Sequence, residues 1–123
     1  MTKPEELRER ATAFAIQIIR LFRLLPRTEE ARIIGRQLLR SGTSVAANYR
    51  AACRARSKAE FTAKMGVVVE EADETVFWLE LLVDAQVIRR EQITDLFIEA
   101  SELLAIFAAS QRTAKSTNLS MAK

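Results

Sequence analysis

Arg32, Arg36 and Arg40 repeat at intervals of four residues, and after Thr43 and Ala47 the same ridge resumes with Arg50 and Arg54, with Arg56 just beyond. On a helix such intervals return side chains to one face. A row of guanidinium forks suits bidentate contacts to phosphate oxygens, which carry no base identity. The six arginines are therefore candidates for contacting the backbone of RNA or DNA, structured RNA foremost. From Arg27 to Arg56 seven Arg stand against two Glu, a local net charge of +5. The next segment has the opposite bias: from Ser57 to Gln86 seven acidic residues stand against two Lys, a local −5. Glu70, Glu71, Asp73 and Glu74 offer the ridge a different use, ion pairing across a bundle or a subunit interface. The two uses can coexist on different arginines.

Other chemistry is sparse. Glu70 and Glu74 lie one helical turn apart in the run EEADE, but carboxylate-bridged metal bundles also draw Glu-x-x-His pairs from facing helices, and this chain has no His. The same absence removes Ser-His and Cys-His nucleophile pairs and the usual general base near neutrality. Cys53, the only cysteine, falls on an apolar face and reads as a small buried hydrophobe. Tyr49, Phe77 and Trp78 read as packing, and no glycine-rich phosphate loop is present. No metal, no cofactor and no enzymatic activity are expected.

Composition agrees with a small soluble protein. At 123 residues, 49% of them hydrophobic and only three Gly and two Pro, the chain suits one all-α domain with one core. The net charge of +3 is too small to demand a nucleic-acid partner by itself. No apolar run reaches the ~20 residues of a membrane span, and no leader for export is visible, so a cytoplasmic protein that meets no membrane is expected.

The elements that must carry the ridge follow from apolar spacing. Leu7, Ala11, Phe14, Ile18, Leu21 and Leu25 line one face of a first helix that Pro26 stops. Thr28 is a cap for a second, in which Ile34, Leu38, Ser41, Val45, Asn48 and Ala52 hold phase straight through the helix-poor stretch RSGTS. Ser57 and Glu60 form a capping-box pattern for a third. Four helices are predicted, at about 5–25, 29–55, 58–86 and 91–111, making one domain over 1–112, with 113–123 a disordered tail. Short connections fold them into an antiparallel up-and-down four-helix bundle.

The first two helices carry a second apolar stripe. Ile19 and Phe22 on helix one, and Leu39, Gly42, Ala46 and Tyr49 on helix two, are expected at an interface with identical subunits. Asn48, on the core stripe with Ser41, is expected to fix register and partner number.

The segment QLLRSGTSVAANYRAACRARSKAEF, Gln37 to Phe61, resembles the pattern Q-L-x-R-S-x-x-S-I-x-x-N-I-x-E-G-x-x-R-x-S-x-x-E-F. That pattern belongs to the four-helix-bundle proteins first noticed as products of intervening sequences in bacterial 23S ribosomal RNA genes. Gln37, Leu38, Arg40, Ser41, Ser44, Asn48, Ser57, Glu60 and Phe61 match. Ala51, Ala52 and Ala55 stand where the family commonly has Glu, Gly and Arg. The resemblance covers residues 5 to 112. It implies a bundle that assembles into a ring-shaped homo-oligomer, typically a pentamer, without assigned catalysis. Accessory proteins of diversity-generating retroelements resemble this fold too, and they bind nucleic acid and associate with a reverse transcriptase. Residues and resemblance together support a non-catalytic, oligomeric scaffold that binds nucleic acid. The alternative is a ring platform for a protein partner such as a reverse transcriptase.

Overall fold

A computed structural model describes residues 3–122 of the chain, with side chains from 3 to 116. Helix α1, Pro4–Leu24, starts with Pro4 in its first turn, where a missing N–H costs nothing, and with Glu5 and Glu6 at the positive end of the dipole. Helix α2, Glu29–Cys53, is capped by the Thr28 hydroxyl, which accepts the Ala31 N–H at 3.4 Å. It runs without a break through Ser41–Ser44. The hydroxyl that would compete with the helix is turned back onto it, since Thr43 Oγ1 donates to the Leu39 carbonyl at 2.8 Å.

Helix α3, Lys58–Asp84, begins at Ser57, whose Oγ accepts the Glu60 N–H at 3.0 Å. The Glu60 carboxylate reaches back to the N–H of Arg56, at 3.1 Å, rather than to that of Ser57. A single 3-10 turn, Arg90–Gln92, leads into α4, Thr94–Ala122. The aperiodic tail expected from 113 onward is helical backbone instead. Ala114, Lys115, Leu119, Met121 and Ala122 are good helix formers, and no Gly or Pro follows Arg112 to stop propagation, so losing the apolar stripe does not end the helix. The side chains of 117–123 in that expected tail lie outside the described residues.

The short connections leave successive helices antiparallel, and the buried faces of all four meet in one core. Phe14, Ile18, Leu38, Val45, Met65, Val68, Leu79, Leu82, Leu103 and Phe107 are fully enclosed. Each such side chain contributes about 1.5–3 kcal/mol by leaving water. The seam between α1 and α4 is the loosest of the four. Arg10 crosses it, donating to Glu99 at 2.6 and 2.8 Å and lying 3.4 Å from Glu102. The hydrogen bonds to Glu99 raise the pKa of Arg10.

Two residues expected at the subunit interface lie inside the protomer. Gly42 is buried against Ile18 of α1. The Tyr49 ring is 4% exposed and tilts against Phe107 of α4, with centroids 5.1 Å apart. The inward face of α2 runs through Ala31, Gly35, Leu38, Gly42, Val45, Tyr49 and Ala52, between the two stripes that spacing distinguished. A helix at a bundle corner packs on two neighbours at once, so both stripes contribute to one wide buried face.

Candidate nucleic-acid interface

Arg32, Arg36, Arg40, Arg50, Arg54 and Arg56 are all exposed, the first five along the outer face of α2 and its C-cap, and Arg56 in the connection that follows. From Arg32 to Arg54 the row is about 33 Å long at 1.5 Å per residue. Arg40 is committed to its own chain: its guanidinium pairs with Glu74 and with Glu71, the latter at 3.1 Å, and its Nε–H donates to Gln37 Oε1 at 3.1 Å. Glu74 also accepts the Trp78 indole N–H at 3.0 Å. So α3 uses two of its carboxylates on one arginine, and Arg32, Arg36, Arg50, Arg54 and Arg56 have no ion pair among the described residues. A partly exposed pair of this kind is worth about 0–1 kcal/mol, mostly orientation.

The polar residues inside the α2 repeat divide in role. Ser41 is fully buried, and its Oγ lies 3.0 Å from Thr75 Oγ1 on α3, while the two hydroxyls also reach the Leu38 and Glu71 carbonyls. This is a cross-helix contact at a defined level. Asn48, expected to fix register, is only half-buried, and its Nδ2 donates to the carbonyl and hydroxyl of Ser44 on its own helix, both at 2.9 Å. The amide satisfies itself locally because Ser44 stands one turn earlier.

Of the remaining expected interface residues, Ile19, Phe22, Leu39 and Ala46 are partly buried, the last three packed against the protomer's own core. Phe77, read from sequence as packing, is 51% exposed, with its ring edge-on to Trp78. Position 77 is two residues from both Thr75 and Leu79 of the core stripe and so faces away from it. That spacing could have identified it. Ile33 on α2 and Val67 on α3 are likewise exposed.

Burial of Tyr49 pushes its phenol pKa upward, and the neighbouring Cys53 adds to the shift. Among the described residues no cluster of Cys, Asp and Glu has the arrangement of a metal site, and no helix is long and apolar enough to cross a membrane.

The model of the 23S rRNA-intervening sequence protein family matches residues 5–109. The structure is similar to that of a protein with unknown function from the S23 ribosomal protein family of Bacteroides thetaiotaomicron. The two superpose with a TM-score of 0.83 at 32% sequence identity, over 90% of this chain and 99% of that one. No curated protein matches the chain.

Proposed function

The chain belongs to the 23S rRNA-intervening sequence protein family, and on that premise we propose a non-catalytic cytoplasmic scaffold. In this reading identical bundles form a ring, a pentamer, that binds nucleic acid, structured RNA foremost, along the outer face of α2. The supporting observation is that five of the six exposed arginines on and beside α2 lack an ion pair among the described residues. Repeating them around a ring multiplies weak phosphate contacts by avidity. Titrating a fluorescent structured RNA with the chain at 50 to 300 mM salt tests the reading. Three phosphate contacts lower affinity on the order of a hundredfold over that range. Arg50→Glu with Arg54→Glu abolishes binding while far-UV circular dichroism is unchanged. No affinity at 50 mM, or affinity indifferent to salt, overturns it.

A platform for a protein partner, such as the reverse transcriptase of retroelements, is the second reading. It draws on the commitment of Arg40 to Glu71 and Glu74 and on the exposed Phe77. Retention of a partner protein by a chain carrying Arg50→Glu and Arg54→Glu, which no longer holds RNA, favours it.

A further inference from the structure

The outer faces of α2 and α3 have complementary chemistry. On α3 the exposed positions Glu70, Asp73, Glu80 and Asp84 have no ion pair among the described residues, and Phe77 lies exposed among them. On α2 the exposed positions include Arg32 and Arg36, with Ile33, 53% exposed, between them. The α3 ridge therefore combines an apolar side chain with unpaired acidic groups, and the Arg32–Arg36 turn of α2 combines one with unpaired basic groups, the exposed Glu29 and Glu30 lying in the turn before it. Neither face is covered within the protomer.

The internal register sets which charges fall level. Ser41 of α2 meets Thr75 of the antiparallel α3. Arg36 stands as many residues before Ser41 as Glu80 stands after Thr75, and Arg32 and Asp84 are matched in the same way. A neighbour generated by rotation about an axis parallel to the bundle keeps these levels, because such a rotation adds no shift along the helices. Its Glu80 and Asp84 then come level with Arg36 and Arg32 of the first copy, and its Phe77 falls level with the Arg36–Arg40 turn, where a ring can stack on a guanidinium. At the other end, Arg50 is level with Gly66 and Arg54 with Thr62, neither of them a carboxylate, and nearby Glu60 is engaged by the Arg56 N–H and by Lys64.

We infer that the subunit interface is heterologous: the Arg32–Ile33–Arg36 patch of one copy docks on the Phe77–Glu80–Asp84 patch of the next. The inference rests on the ring reading above and adds which faces close it. Outer faces at neighbouring corners of a square bundle diverge by roughly a right angle, so repeated docking turns the chain of copies and closes it after about four or five. It also divides the arginines, with Arg32 and Arg36 in the ring and Arg50, Arg54 and Arg56 left open to phosphate.

Light-scattering mass at micromolar concentration and low salt tests it. The wild-type chain is expected as an oligomer. Arg32→Glu with Arg36→Glu, and separately Glu80→Lys with Asp84→Lys, are expected to drop to protomer mass with helical circular dichroism intact, since every substituted position is exposed. Mixing the two variants in equal amounts is expected to restore a higher mass, because each then offers the charge the other lacks. A wild-type chain of protomer mass overturns the ring reading and the interface with it. A wild-type oligomer that survives both reversals, or a mixture that stays at protomer mass, overturns the interface alone.

Discussion

At the scale of single residues, Tyr49 shows how a side chain assigned to one role by spacing acquires another by packing. Its phenol is enclosed beside Phe107 and Cys53, and burial raises its pKa above the ordinary value of about 10. Ionising it in the folded state costs more than in the unfolded chain. Its contribution to stability is therefore complete below about pH 10 and is lost as pH rises from there towards the folded-state pKa, by up to ~1.4 kcal/mol per pH unit. Tyr49→Phe keeps the ring and removes the proton. Urea unfolding between about pH 8 and 11 should show the wild-type chain losing stability faster than the variant above about pH 10. Parallel curves would show that the hydroxyl is not desolvated. Ser41 and Asn48 make the complementary point. Spacing put both on the core stripe, yet only Ser41 reaches another helix, because Ser44 gives Asn48 a partner one turn away.

At the scale of elements, glycines inside helices report how closely neighbouring helices approach. A Cβ built on Gly42 would lie 2.9 and 3.0 Å from the two γ carbons of Ile18 and 3.3 Å from its Cβ. Ile18 is fully buried and β-branched, so it cannot turn aside. Overpacking of about 1–3 kcal/mol then exceeds the helix-propensity gain of about 1 kcal/mol, and Gly42→Ala destabilises. At Gly66 a Cβ meets only the amide end of Gln111, at 2.9 Å. That side chain can move, so Gly66→Ala should raise the melting temperature by a few degrees, about 0.5–1 kcal/mol. Thermal melts of the two variants shifting in the same direction would refute this reading of the α1–α2 contact. Helix existence was legible throughout: Pro26, Thr28 and Ser57 mark the boundaries through local chemistry that needs no tertiary information. Which of two adjacent stripes on α2 turns inward was not, because that depends on where α1 and α3 stand. The far end of α4 escaped for a related reason, since losing an apolar stripe removes a packing signal and leaves backbone propensity intact.

At the scale of the whole molecule, the arginine row was legible as a row, but its division was not. Whether an arginine meets a carboxylate depends on the level that Ser41 and Thr75 impose on two antiparallel helices, and no interval within one helix encodes that level. Assembly through Arg32, Arg36, Glu80 and Asp84 would also tie folding to concentration, because a ring of native copies draws protomers out of the unfolding equilibrium. Raising the chain a hundredfold, from about 1 to 100 µM, contributes up to about 2.7 kcal/mol by mass action, which moves the melting temperature of a domain this size on the order of 5–10 °C. The chain carrying Arg32→Glu and Arg36→Glu should melt at one temperature throughout, and wild type in about 0.5 M salt should show a reduced slope, since exposed charges are screened beyond a few ångströms. A melting temperature independent of concentration for the wild-type chain would mean that Ile33 and Phe77 are tolerated as solvent-facing residues. The basic and acidic ridges would then serve only partners of other kinds.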